Sequence, residues 1–461
     1  MPAWMPLSWE SFQRLIVQGA ALFVVATLVF DAVHFGLHLC LRSRYRWLRW
    51  LASPHQAHHD FFDGLLRFHD EAILPNLLHH VIPEYATQML VCTLAFAVLD
   101  TMPVIIVMAI FTVLFASVIV LKGKDHNHVP FPIIPVARLT LFVGARYHVM
   151  HHVYPESHMS SFTKLFDILM GTACQIRGRR VALTGASGSF GSAMRDLLER
   201  AGAVVVTLKF GVDWTYEDYS GADSALEGAD ILVLAHGAKG EQAMQANCAS
   251  FLALIDRFKS LTQNRQVPVE VWAVGSEIEC HPAFGNPDLR SYAQSKRAYA
   301  QVGARLMLDQ GFLYRHIVPS AFRSQMGPGV MSGRSAAAIA LWLIRRGFRY
   351  VPVTYTGIAF VNFIPFFLRG LLAGSQASRH PQFLRAFSAL LLPFYSTTRR
   401  GQEPNVRSPA AAARVLKAHP PHRGLLEPNQ PTVDALGDHR ELIHRPPLVL
   451  DLDGRESSVL G

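Results

Sequence analysis

Residues 15–41 run apolar from Leu15 to Leu41 and are followed at once by Arg42, Arg44, Arg46 and Arg49. Such a run exceeds the ~20 residues a helix needs to span a bilayer, so it commits this part of the chain to a membrane. The arginines place its C-terminal end on the cytoplasmic side. A second apolar block, residues 86–121, is too long for one crossing and breaks at Asp100-Thr101-Met102-Pro103, a hairpin-tip composition. Two crossings of about 17 residues each would return the chain to the cytoplasm at Lys122 and Lys124.

Histidine is concentrated on that side. Fourteen of the 22 His residues fall between His34 and His158. His34 and His38 are spaced i, i+4, which stacks them on one helical face about 5–6 Å apart at Cβ. His55-Gln56-Ala57-His58-His59 and His148-Val149-Met150-His151-His152 both spell H-x-x-H-H, with His126, His128 and His158 nearby. Imidazole ligates iron, copper, zinc and nickel, and spacings of three and four let a few helices close around a metal pair. A zinc site takes at most four protein ligands, so this many imidazoles points to two metals. Residues 1–178 lack the E-x-x-H words of soluble di-iron bundles. Isolated His69, His79 and His80 read as interfacial residues.

Residues His34–Asp63 and His126–Thr172 resemble the fatty acid hydroxylase and sterol desaturase superfamily, with Ser161–Thr172 similar to its closing segment. The resemblance implies a non-haem di-iron centre that activates O2 on a lipid. It implies ligands drawn from His34, His38, His55, His58, His59, His126, His148, His151, His152 and His158. The chain has His126-Asn127-His128 where the family has H-x-N, which favours His126 over His128.

The periodicity changes at Arg179. Val181–Thr184 is a buried strand running into Gly185, Ser187, Gly188, Phe190 and Gly191, a turn that can bring backbone amides and a helix N-terminus to a pyrophosphate. Further strands are expected at 203–207, 230–235, 269–276 and 313–319, alternating with helices, which predicts a parallel doubly wound sheet. A strand and a helix are missing between Lys209 and Gly228. Lys209 stands where an acidic residue would hold a ribose hydroxyl, favouring a 2′-phosphate and NADP over NAD.

Tyr292-Ala293-Gln294-Ser295-Lys296 puts a phenol and an ammonium on one helical face, an arrangement in which the cation can favour phenolate. Ser276, ending the preceding strand, can bond a substrate oxygen. With Thr184-Gly185-x-x-Gly188-x-x-Gly191, this half resembles the short-chain dehydrogenase/reductase family. The resemblance implies Tyr292 as proton donor or acceptor and Lys296 as its partner and ribose ligand. Ser276 would be the oxygen-side donor, Asn247 the fourth member and Gly237 a cofactor contact. Leu234-Ala235-His236-Gly237 departs from the family's N-N-A-G, and His236 reads as structural.

The expected architecture is multi-domain: an α-helical membrane His-box domain (1–178), then a Rossmann-like α/β domain (179–355). An interfacial apolar segment (356–397) and a flexible tail (398–461) follow, although a core helix of the soluble domain is an alternative for residues 357–373. The expected function is a membrane lipid oxidoreductase with iron and NAD(P), acting on an acyl, aldehyde or sterol-like lipid. It would need an external electron donor, since no flavin or iron-sulfur carrier is visible. Aldehyde deformylation and a membrane-anchored reductase whose His-rich half only binds metal or lipid are the rivals. A hydrophobic fraction of 50% with 17% charged residues fits partial membrane embedding. The net charge of +9 comes without a basic-aromatic stripe, so nucleic acid is not an expected partner. Five scattered Cys without a C-x-x-C pair read as free thiols, and the first apolar run lacks a signal-peptide pattern.

Overall fold

The computed structural model describes residues 8–283 and 287–377; the expected tail and residues 378–397 of the expected interfacial segment lie outside them. The first long helix, α1 (Trp9–Leu41), starts at Ser8, whose hydroxyl accepts from the Ser11 amide. Short helices α2 (Arg46–Ala52), α3 (Gln56–Phe61) and α4 (Ile73–Asn76) fold across its end. The hairpin α5 (Ile82–Ala95) and α6 (Thr101–Val120) turns where Asp100 and Pro103 predict. Leu22 and Ala26 of α1, Cys92 of α5 and Val104, Val107 and Phe111 of α6 make one apolar seam, with Phe23 stacked 4.8 Å from Phe111. Among the described residues, α1 and α6 are long and apolar enough to cross a membrane. At 14 residues, α5 is shorter than the crossing expected there and starts earlier. Helices α7 (Ala145–Val153) and α8 (Leu165–Met170) complete this half. Gly171 ends α8 at φ 72°, where a side chain would be strained.

The second half alternates strand and helix. Strands β1 (Arg180–Thr184), β2 (Val204–Leu208), β3 (Ile231–Leu234), β4 (Glu270–Val274) and β5 (Leu313–Pro319) appear within a residue or two of expectation. A small pair, β6 (Phe322–Arg323) and β7 (Met331–Ser332), follows, then β8 (Tyr350–Val353). The six main strands are all parallel, in the order β2-β1-β3-β4-β5-β8. Helices α9 (Ser189–Arg200) and α13 (Gly333–Arg345) cover one face, where Leu183, Val233, Trp272 and Ile317 point. Helices α10 (Asp223–Gly228), α11 (Ser250–Thr262), α12 (Pro287–Leu306) and α14 (Ile358–Ala377) cover the other, over Ala182, Leu232, Ala273 and Tyr314. Side chains alternate along a strand, so a sheet buried on both faces needs the near-continuous apolar strands this sequence has. No strand lies between Lys209 and Gly228, as expected, but a short helix, α10, does.

Helix α14 combines both readings of residues 357–373. Ala359 and Phe366 are buried in the sheet's core, and Asn362 turns inward to bond the Tyr350 hydroxyl at 3.0 Å. Its outer face leaves Phe360, Val361, Ile364, Leu368 and Leu372 exposed.

The two halves meet at one end of the sheet. The Ile134 amide donates to Gln266 O at 2.8 Å, Arg146 to Gln310 at 3.0 Å, and the Ala173 amide to Arg345 O at 2.9 Å, while Arg349 bonds Ala137 O. Gln266, Gln310 and Arg349 each just precede a strand, so the His-rich half abuts the N-terminal ends of β4, β5 and β8.

Candidate functional site

The imidazoles converge. His34 and His38, buried at the end of α1, lie 3.2 Å apart at Nε2, and His55 and His59 reach the same His38 nitrogen at 3.0 and 3.3 Å. His58, His128, His148 and His152 form a second group; His128 Nε2 is 3.1 Å from His152 Nε2 and 3.3 Å from His148 Nε2. Within each group the four candidate ligand atoms lie within 4.8 Å of one another. His151 sits between the groups, its ring 4.7 Å from His34 and 5.7 Å from His152, with Nε2 buried and unbonded.

The outer nitrogens explain why the inner ones face each other. His152 Nδ1–H donates to Phe62 O at 2.7 Å, and His151 Nδ1–H to Ser157 O at 3.0 Å. Carbonyls only accept, so each of these rings carries its proton on Nδ1 and aims an Nε2 lone pair inward. His128 is oriented by Asp125 at 2.8 Å and His58 by the Asn76 amide oxygen at 3.3 Å. Lone pairs gathered in a dry interior repel unless a cation sits among them. His58 Nε2 is likewise buried without a partner. The donor set therefore fits two metal ions. Asp167 holds the loop after His152 in shape, bonding Tyr147 and the amides of Met159 and Ser160 at 2.9 Å each.

Two expected ligands are elsewhere. His126 is exposed and only lines the adjoining cavity, while His128 takes the inner position, which reverses the preference drawn from the H-x-N comparison. The Asp125 carboxylate accepts both the Asn127 and His128 amides, and that turn decides which ring faces inward. His158 bonds the Ser157 hydroxyl at 2.8 Å and packs on Tyr147, outside both groups. His80, set aside in the sequence, stacks 3.7 Å from His58 on a π-helical turn at Leu77–Val81. His69 pairs with Asp63, and His79 is exposed. A cavity of about 320 Å³ opens from His34, His80, His128 and His148 between α1, α5 and α6, walled by Phe30, Tyr85, Phe111 and Leu114.

The second site lies at the opposite, C-terminal ends of the strands. Gly185 has φ 69°, and a Cβ there would sit 2.5 Å from the Ala235–His236 backbone. A Cβ at Gly191 would lie 2.1 Å from the Gly185 carbonyl oxygen. The glycines thus let α9 close onto the turn, leaving a cavity of about 590 Å³ lined by Gly185, Ser187, Gly188, Phe190, Lys209 and Gly237. Thr184 lies beneath it, its hydroxyl 2.7 Å from His236 Nδ1, while His236 Nε2 is 2.9 Å from the Ser250 hydroxyl, so both ring nitrogens serve the fold. Gly191→Ala is expected to cost about 1–3 kcal/mol through overpacking. It should also weaken dinucleotide binding at least tenfold, read by fluorescence titration beside a thermal melt.

Phe190, Ala235, Gly237 and Phe322 also wall a neighbouring cavity of about 600 Å³ that holds Ser276, Tyr292 and Lys296. Ser276 lines this cavity beside Tyr292, and its hydroxyl favours the phenol's ionised form. Asn247 sits on a π-helical turn, donating to Ala238 O at 2.7 Å and to Ser295 Oγ at 3.0 Å. Lys296 Nζ donates to Val274 O at 2.7 Å and lies 5.8 Å from the Tyr292 ring centre. Lys296 thus faces the phenol through space without bonding it, and Tyr292 rests as the neutral phenol. Burial pushes Tyr292 up to about 12 against the Ser276 hydroxyl, with Glu279 adding to the rise. Burial also lowers Lys296 to about 8, with Glu279 opposing. Tyr292 is thus a neutral proton donor at physiological pH.

No family model matches this chain. It is similar to monoglucosyldiacylglycerol epimerase of Synechocystis sp., 29% identical over 270 residues, covering 52% of this chain and 64% of that protein. The chain thus spans a little under two thirds of that relative's length. Among solved structures, it is similar to a short chain dehydrogenase from Burkholderia cenocepacia in complex with NADP, 18% identical with a TM-score of 0.36, over 44% of this chain and 97% of that one. A short-chain dehydrogenase from Sphingobium yanoikuyae in complex with NADPH is 15% identical with a TM-score of 0.33, over 49% of this chain and 99% of that one.

Proposed function

We propose that this chain is a membrane lipid oxidoreductase with two separate sites. The Rossmann half interconverts a hydroxyl and a carbonyl on a lipid. The observation that carries this reading is the convergence of Ser276, Tyr292 and Lys296 on one cavity that shares its wall with the glycine-lined one. A bound NAD(P) would supply or take up the hydride. In the reducing direction Ser276 Oγ–H bonds the substrate carbonyl oxygen, and Tyr292 Oη–H gives that oxygen its proton. Lys296 Nζ, an ammonium below its pKa, stabilises the phenolate left behind. Lys209 and Arg195, both lining the glycine-side cavity, favour a 2′-phosphate and hence NADP. The relative's name supports a glycolipid substrate. Epimerising a sugar hydroxyl is this chemistry run once in each direction, with no net redox change.

The His-rich half, in this reading, holds two iron ions and resembles the hydroxylase superfamily in function as in motif. Such a pair, with O2 and an external electron donor, supplies the oxidant for hydroxylating or desaturating a lipid chain. The residues' part is to bind through inward Nε2 atoms, to exclude water, and to seat the chain against Phe30, Tyr85 and Phe111 in the cavity beside them. Helix α14's apolar outer face rests on the same membrane.

Lipid mass spectrometry of cells expressing wild type, His151→Ala and Tyr292→Phe tests both halves. Three identical lipid profiles would overturn the reading. The ammonium of Lys296 is present below its pKa and lost above it. Reductive kcat/KM is therefore expected to be level below about pH 8 and to fall about tenfold per pH unit above it. A profile still flat well above that point would remove Lys296 from the mechanism.

A further inference from the structure

The structure assigns Glu279 and His316 as positioning residues that hold Ser276 in its reactive orientation; this rests on the dehydrogenase reading of the Ser276–Tyr292 site and extends it. Ser276 opens the turn Glu277–Glu279, and its own amide donates to Glu279 Oε2 at 3.2 Å, while its hydroxyl accepts from the Ile278 amide at 3.4 Å. The other Glu279 oxygen, Oε1, accepts from His316 Nε2–H at 2.7 Å, both side chains being almost fully buried. Behind them His316 Nδ1 lies 2.9 Å from the Tyr314 hydroxyl, which donates to Tyr299 at 2.9 Å. The imidazole also stacks on Phe366 of α14, with ring centres 4.7 Å apart.

The sequence makes room for this array. A Cβ at Gly275 would lie 2.6 Å from Glu279 Oε2 and 3.0 Å from His316 Nε2, and one at Gly303 would lie 2.8 Å from the Tyr314 hydroxyl. A buried carboxylate against an imidazole is expensive to desolvate, so its geometry is fixed by every partner it has. Here one of those partners is the backbone of Ser276, which lines the Tyr292 cavity. None of these groups contacts the space where substrate would lie except through Ser276. Apart from the through-space pull of the Glu279 charge on Tyr292 and Lys296, their effect on turnover passes through that residue.

A double-mutant cycle decides the point. Glu279→Gln and, separately, His316→Gln should lower kcat by about 10- to 100-fold while KM and the dinucleotide Kd stay within about twofold. In a Ser276→Ala background, His316→Gln, which leaves the Glu279 charge in place, should cost nothing further, because the residue it positions is gone. The same fractional loss in both backgrounds overturns the assignment. Should the wild type show no NAD(P)-linked turnover at all, the dehydrogenase reading falls on its own. Crystal structures of wild type and Glu279→Gln then still decide the positioning claim, which fails if Ser276 Oγ keeps its wild-type position in the variant.

Discussion

Replacing Tyr292 by Phe is expected to lower NAD(P)-linked turnover by about 10²–10⁴-fold, the usual worth of a positioned proton donor. The phenyl ring keeps its packing, and the glycine cradle lines the neighbouring cavity, so the Kd for dinucleotide should move less than about twofold. Ser276 alone cannot replace the lost donor, since an aliphatic hydroxyl is a far weaker acid than a phenol. Steady-state cofactor absorbance with a lipid alcohol or ketone in mixed micelles measures kcat, and fluorescence titration measures binding. Turnover near the wild-type rate would remove Tyr292 from the chemistry. Weak binding with normal turnover would instead place it among the cofactor contacts.

The second large effect concerns metal. Purified protein is expected to carry close to two iron ions per chain, with all His-dependent lipid oxidation lost when either group of imidazoles is broken. His58→Ala or His152→Ala should empty one position, and His38→Ala the other. The informative pair is His128→Ala against His126→Ala. The first removes a ring that reaches His148 and His152 and should lower bound metal to about one ion per chain, whereas the second should leave the metal content unchanged. Asp125→Asn, which keeps the turn but weakens the grip on His128, is expected to reduce metal affinity by about 10- to 100-fold. Elemental analysis by mass spectrometry reads all of these without any activity assay. Equal loss from His126→Ala and His128→Ala would contradict the geometry, and wild type free of transition metal would end the di-iron reading.

Much of the fold was legible because its signals are local. Continuous apolar strands between glycines marked β1 to β5, and Asp100 with Pro103 marked the hairpin. The strand β8 escaped notice because it is short and holds Pro352, which donates no hydrogen bond. The Tyr292–Lys296 spacing placed both residues on one face correctly, yet spacing says nothing about whether an ammonium prefers a phenol or the Val274 carbonyl. The His126–His128 choice turned on a side-chain-to-backbone bond from Asp125, a detail that H-x-H spacing does not carry. His80 was set aside as an isolated interfacial residue because it lies outside the H-x-x-H-H words, yet it stacks on His58 from a π-helical turn. Glu279 and His316 lie far apart in sequence, and only the close approach of Gly275 and Gly303 hints that something polar must pack there.

The His-rich half caps one end of the strands, and Tyr292 waits at the other. At ~3.3 Å per residue, the seven residues of β5 alone set roughly 20 Å of packed protein between them. The sheet's own packed core fills that distance, so in the proposed two-site reading a molecule modified at one station has to let go before the next receives it. The pair should then behave as two shops on one street rather than as an assembly line. Product from the first would appear with a lag in the second, and a flood of unlabelled intermediate would dilute an isotope label before it reached the final lipid.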